Sequence, residues 1–221
     1  MKSSKVVIPF AIAISLIPIL YLAYIYNALP ATVPTHFDAG GKPNDYSSKS
    51  TLFLITAGMS AIAMGVFFLI RNLEKIDPKK FAKSNPGSMN KIAIGLVIFL
   101  STLNVIIVSS AQQGKIGNIK LVMCLIGLFL AFMGNVMYSV KPNYFVGIRT
   151  PWTLENEDNW RKTHQIAGKL WVAGGLLITV LALILPGAAF PYFLLPTVAL
   201  MVLIPVAYSF IEFKKSQKIN S

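Results

Sequence analysis

Val6-Val7-Ile8-Pro9-Phe10-Ala11-Ile12-Ala13-Ile14-Ser15-Leu16-Ile17-Pro18-Ile19-Leu20-Tyr21-Leu22-Ala23-Tyr24-Ile25-Tyr26-Asn27 contains no charged side chain. About 20 apolar residues suffice for a helix to cross the roughly 30 Å hydrocarbon layer of a bilayer. The stretch is therefore long enough to span. The Met1-Lys2-Ser3-Ser4-Lys5 start in front of it resembles a signal peptide. The run is too long for one, however, and no Ala-x-Ala type cleavage site follows, so it reads as a first transmembrane helix. Five more apolar runs follow: Leu52 to Ile70, Ile92 to Ala111, Ile119 to Tyr138, Leu170 to Leu185, and Phe190 to Phe213. The fifth is short and is expected to begin earlier, near Thr163. The chain of 221 residues is 55% hydrophobic and 13% charged, with mean hydropathy +0.64, far more apolar than a soluble core requires. The expected fold is an all-α integral membrane protein, one six-transmembrane-helix bundle over residues 1–221. Pro9, Pro18, Pro196 and Pro205 predict kinks in the first and last helices.

All but four of the 20 Lys and Arg residues fall on one side of these spans: at the N-terminus, in the second and fourth connections, and in the tail. Lys42, Lys49, Lys115 and Lys120 lie opposite. The positive-inside rule then places both termini in the cytoplasm. It makes residues 29–50 an extracellular segment and residues 139–168 a cytoplasmic one. The formal charge of +12 follows from this topology and from anionic membrane lipids as partners. Direct nucleic-acid binding does not fit, because the charge is scattered over four segments. The second connection carries Asn85-Pro86-Gly87 as a turn, and Gln112 to Asn118 and Pro186 to Ala189 read as tight external turns.

No Asp, Glu, Lys, Arg or His lies in the middle of any run, whereas ion pathways and proton relays need such groups. Asn104, Asn135, Thr56, Ser60, Ser101, Thr102 and Thr179 are expected to bond across helix contacts, and Gly95, Gly127, Gly134, Gly174 and Gly175 to permit close helix approach. Cys124 is a lone thiol inside an apolar run and reads as a small packing residue.

Two polar segments remain. In the outer one, prolines fix an extended lead-in and Asp38-Ala39-Gly40-Gly41 supplies a reversal, so a small hairpin-like cap is expected. Ser47, Ser48 and Ser50 can cap the second helix. His36 with Asp38 and Asp45 could form a metal or pH-sensing site, but no third ligand stands at a metal-like spacing, and a structural or recognition role competes. The candidate recognition residues are Pro34, His36, Phe37, Asp38, Gly41 and Pro43.

The inner segment runs Asn143-Tyr144-Phe145-Val146-Gly147-Ile148-Arg149-Thr150-Pro151-Trp152-Thr153-Leu154. Thr150 before Pro151 reads as a helix cap, with Glu155, Glu157 and Asp158 near the start of that helix. Trp160, Thr163, His164, Ala167 and Trp171 share one helical face. Tyr144, Phe145 and Trp152 suit the headgroup layer. Arg149 is expected to be held by lipid phosphate or by one of the three acids. The segment is either a surface-lying anchor or a protein-docking surface, with Asn143, Gly147, Arg149, Thr150, Pro151, Trp152, Thr153, Trp160 and His164 as candidates. No nucleophile elbow, zinc motif or phosphate-cradling loop is present, so neither catalysis nor a cofactor is expected.

The Asn143 to Leu154 stretch, with Trp160 and His164, resembles the signature of the SdpI-like membrane proteins, the immunity family named for the sporulation-delaying toxin. The Pro34-Thr35-His36-Phe37-Asp38-x-x-Gly41-Lys42-Pro43-Asn44 segment resembles a small domain, of the DUF1648 type, found at the N-terminus of many of the same proteins. The resemblance implies a bacterial cell-membrane protein that protects against a secreted, membrane-active peptide toxin, with the toxin as outer partner. It also implies capture of a cytoplasmic transcriptional repressor as inner partner. A signalling scaffold without immunity is the alternative, and a small transporter or membrane enzyme a more distant one.

Overall fold

The computed structural model describes residues 4–38, 41–76, 86–117 and 119–219. Six long helices are apolar enough to cross a membrane: α1 (Ser4–Ile25), α2 (Lys49–Ile76), α3 (Pro86–Gln113), α4 (Ile119–Met137), α6 (Glu157–Ile184) and α7 (Phe190–Ile219). A short helix α5 (Pro151–Glu155) precedes α6, and strands β1 (Thr32–Phe37) and β2 (Pro43–Ser48) form an antiparallel hairpin between α1 and α2. The chain is a multi-pass membrane protein. Both prolines of α1 and both of α7 stay within continuous helices, as membrane helices tolerate.

Several helices outrun the apolar runs at one end of the bundle. α2 continues six residues past Ile70, α3 starts at Pro86 rather than Ile92, and α6 starts at Glu157 rather than near Thr163. The reason is local. Asn156 caps α6, its Oδ1 accepting from the Asp158 and Asn159 amides at 2.9 Å, and Pro86 occupies a first helical position that needs no donor. Pro86 and Gly87 therefore open a helix instead of forming a turn, and Asn85, the first residue of that expected turn, lies outside the described residues. Ala39, Gly40 and Asn118, parts of two other expected turns, do so as well.

The bundle has two parts. In the first, α1, α2 and α3 pack together, and Asn104 in α3 crosses to α2, its Nδ2 donating to the Thr56 carbonyl at 3.0 Å and facing Ser60 Oγ at 3.4 Å. In the second, α4, α6 and α7 pack together. Lipid tails are as apolar as the side chains, so close backbone contact and polar pairs must supply the cohesion. Gly127 lies against Gly175 and Gly134 against Gly168, two antiparallel crossings one heptad apart on α4 and α6. A Cβ on Gly127 would sit 2.6 Å from the Gly175 carbonyl, and one on Gly134 2.8 Å from that of Gly168. The expected glycine contacts are thus found, with Gly168 as an unforeseen member.

At one end of the bundle the hairpin sits on α1, α2 and α3. Val33 is buried with Leu22, Ile25, Leu29, Leu52 and Val108, while Lys49 donates to the carbonyls of Tyr26 and Leu29, each at 3.3 Å. Tyr24, Tyr46 and Tyr192 are exposed at this end and Tyr138, Tyr144 and Phe145 at the other, the double aromatic belt of a membrane protein. Among the described residues the hairpin is the only strand structure.

Candidate functional site

The inner signature segment folds into a knot of satisfied polar groups. Asn143 is completely buried. Its Nδ2 donates to the carbonyls of Lys141 (2.8 Å) and Val146 (3.0 Å), and its Oδ1 accepts from the amides of Phe145 (2.8 Å) and Val146 (2.7 Å). One side chain thereby replaces the hydrogen bonds that a loop backbone would otherwise seek in water. Thr150 and Thr153 form the capping box of α5: the Thr153 amide donates to Thr150 Oγ1 at 3.3 Å, and the Thr150 amide donates to Thr153 Oγ1 at 2.9 Å. The Thr153 hydroxyl also reaches the Ile148 carbonyl at 2.9 Å.

This loop closes onto α6. Trp160 is buried, and its Nε1 donates to the Val140 carbonyl at 2.9 Å. Its ring stacks on His164 at 4.0 Å between centroids with planes 16° apart. His164 Nε2 lies 3.0 Å from the Ile148 nitrogen and Nδ1 2.8 Å from the Trp160 carbonyl. A carbonyl can only accept and an amide N–H can only donate, so the ring carries its single proton on Nδ1. His164 is a neutral strut joining the loop to α6. Gly147 makes that contact feasible: its φ is +118°, and a Cβ there would fall 2.3 Å from His164 Nε2. Trp160, Thr163, His164 and Ala167 all lie buried on one face of α6, as their spacing foretold.

The far side of the knot is tied to the end of α7. Trp152 Nε1 donates to Ser209 Oγ at 2.9 Å, its ring meets Phe210 and Phe213, and Asn159 Nδ2 donates to the Ser209 carbonyl at 2.9 Å. Trp152, half-buried, thus clamps the knot to α7, because its indole N–H finds a buried hydroxyl within reach. Lys162 bridges Asp158 (3.2 Å) and Glu212 (2.8 Å), and Lys215 meets Glu212 at 3.2 Å. Glu212 is the sheltered member, 12% exposed against 40% for Lys162 and 64% for Lys215, while the Lys162–Asp158 pair is solvent-exposed and adds little stability. Asp158 is also engaged by Arg161, so it is not the anchor expected for Arg149. The Arg149 guanidinium instead donates to the Tyr144 carbonyl. Glu155 ends α5, and only Glu157 and Asp158 occupy the first turn of the long helix.

Of the residues singled out in this segment, Asn143, Thr153, Trp160 and His164 are buried, while Tyr144, Phe145, Arg149 and Pro151 are exposed. Ser209, Asn159 and Val140 complete the knot and were not anticipated. Their partners come from elements distant in the chain, and no local pattern marks them.

On the hairpin, Pro34 and Gly41 are buried, Phe37 and Pro43 half-buried, and His36 and Asp38 exposed. Gly41 has φ +81°, donates to the Asp38 carbonyl at 2.9 Å, and accepts from the Ile116 amide at 3.4 Å. The hairpin tip is thereby pinned to the α3–α4 turn. His36 Nδ1 lies 2.5 Å from Asn44 Oδ1. The Asp38 carboxylate accepts from the Lys42 amide across the reversal at 2.9 Å, and the Asp45 carboxylate from the Tyr46 amide within β2 at 2.8 Å. At the start of α2 the Ser48 Oγ is bonded to Ser50 Oγ at 2.7 Å and to Thr51 Oγ1 at 3.0 Å, side-chain contacts and not the amide cap expected of these serines.

Comparison with known proteins matches the two segments separately. Residues 139–209, which contain the whole knot, match the SdpI/YfhL protein family, and residues 13–59, which contain the hairpin, match a domain of unknown function, DUF1648. The chain is 32% identical over 161 residues to the Immunity protein SdpI of Bacillus subtilis (strain 168), covering 72% of each protein. It is 44% identical over 54 residues to an uncharacterized protein of Archaeoglobus fulgidus, covering 24% of this chain and 29% of that one. No solved structure matches. An identity of this extent, with a family match over the residues that fold into the buried polar knot, places this multi-pass cell-membrane protein in the SdpI/YfhL family.

Proposed function

We propose that the chain is an immunity protein that shields its cell from a secreted, membrane-active peptide toxin by binding it, without chemistry of its own. The observation that carries the reading is the 32% identity, over 72% of both chains, to an immunity protein. The hairpin suits the recognition role. Its buried face is fastened to α1, α2 and the α3–α4 turn, while His36, Asn44 and Tyr46 are exposed. A rigid surface loses little entropy when a peptide settles on it. By the distribution of Lys and Arg the hairpin faces outward, toward an incoming toxin.

At the opposite end, the knot holds the Tyr144, Phe145 and Arg149 tip in one conformation. That tip is the surface on which a cytoplasmic repressor would dock, giving the same protein a signalling role. The test is survival of a toxin-sensitive cell expressing the chain, exposed to candidate secreted peptides. Protection is expected, and His36→Ala with Phe37→Ala should lower it at unchanged membrane abundance. Equal protection by that variant would assign the hairpin to structure alone.

A further inference from the structure

The two parts of the bundle meet along α3 and α4, and the seam is not filled. A groove of about 570 Å³ opens there, lined by Ile94, Ile98, Leu125, Leu128 and Phe132 and ending at Asn90 and Lys91. Its floor is the stacked pair Phe99 and Phe129, with ring centroids 4.1 Å apart. Gly95 lets the Phe132 ring lie flat against α3 as one wall of the groove: a Cβ there would fall 2.3 Å from that ring. The mouth is polar and basic. Arg71 of α2 donates to Asn90 Oδ1 at 2.7 Å, and Asn90 lies beside Lys91, at the end of the bundle where most of the 20 Lys and Arg residues concentrate. Leu128 and Ile98 are exposed at the groove wall, so the groove opens sideways toward lipid.

We propose that this groove is a specific site for an anionic phospholipid, with an acyl chain along the α3–α4 seam and the phosphodiester headgroup at Lys91 and Asn90. Each half of such a molecule matches a different part of the site. The apolar trough excludes a free phosphate, and a lysine with an arginine-oriented amide at its mouth favours an anionic headgroup over a zwitterionic one. Basic pockets between transmembrane helices are the usual place for such headgroups. The lipid would also bridge the two helix groups where their own packing is thinnest, and this role is independent of toxin protection.

The experiment is lipid binding by native mass spectrometry on the delipidated full-length protein. Phosphatidylglycerol, phosphatidylcholine of the same chains, and glycerol phosphate are titrated separately. Wild type is expected to prefer phosphatidylglycerol and to ignore glycerol phosphate. Lys91→Gln should reduce that preference about fivefold, the effect of one lysine near a membrane surface, while leaving phosphatidylcholine binding as it is. Leu128→Trp, at an exposed wall position that folding does not depend on, should fill the trough and weaken both lipids. Ile98→Trp repeats the test from α3, and Lys214→Gln, a basic residue at the same end of the bundle but outside the groove, should match wild type. An undiminished preference in Lys91→Gln, or undiminished lipid binding in both tryptophan variants, would overturn the proposal.

Discussion

Gly147 and His164 are locked together: the glycine's αC–H face lies where any side chain would strike the imidazole, 2.3 Å from Nε2. The same imidazole accepts the Ile148 amide and stacks on Trp160. The pair therefore joins a loop conformation that only glycine adopts easily to a histidine that must stay neutral. Its residue types resemble those of a catalytic site, yet its role is to fasten residues 139–150 to α6.

Gly147→Ala should lower thermal stability markedly. A φ of +118° is strained for alanine, and the added methyl must displace a buried ring that has hydrogen bonds at both nitrogens. Strain and overpacking together should cost about 3 kcal/mol. Thermal unfolding in detergent measures it, and a midpoint equal to wild type would show that the loop can move off His164.

Glycine substitutions should divide by location, not by type. Gly134→Ala places a methyl 2.7 Å from the Val172 nitrogen and 2.8 Å from the Gly168 carbonyl, both backbone atoms. It should cost about 1 to 3 kcal/mol because helix backbones cannot yield as side chains do. Gly58→Ala and Gly65→Ala, in α2 with nothing within 4 Å, should be neutral or stabilising by up to about 1 kcal/mol. Similar losses in all three would remove the case that α4 and α6 cohere through glycine contact.

Arg149→Lys should leave folding untouched, since the exposed Arg149 contributes one hydrogen bond to a carbonyl that lysine can also reach. If the tip docks a repressor's carboxylate, loss of the planar fork should weaken capture at a cost of about 1.5 to 3 kcal/mol. Pull-down of cytoplasmic partners at matched abundance is the readout, and full capture by the lysine variant speaks against recognition through Arg149.

Sidedness is accessible to labelling. With Cys124 replaced, a cysteine at Ser47 should react with a membrane-impermeant thiol reagent in intact cells, and one at Asn156 should react only after lysis. The reverse pattern would exchange the addresses of hairpin and knot, and with them the proposed partners.

The apolar runs alone determined that this is a six-span membrane protein, because a bilayer demands about 20 apolar residues per crossing and nothing else in the chain competes with that demand. They also placed the hairpin, through two prolines and a Gly-rich reversal, and the shared face of Trp160, His164 and Ala167, through helical spacing. Helix ends were less legible: Pro86 opens a helix where Asn85-Pro86-Gly87 reads as a turn, and Asn156 starts a new helix where the pattern from Thr150 onward reads as one, since caps act through single side chains and leave no periodic signal. The roles of the signature residues emerged only in three dimensions. Asn143, Trp152 and His164 are polar or amphipathic types that serve equally well for docking, membrane anchoring or internal bracing. Which of these they do depends on whether a partner atom from a distant element lies within about 3 Å. The tertiary structure supplies such atoms to Trp152 from Ser209 and to His164 from Ile148, while Asn143 finds Val146 within its own loop, and all three thereby brace the fold.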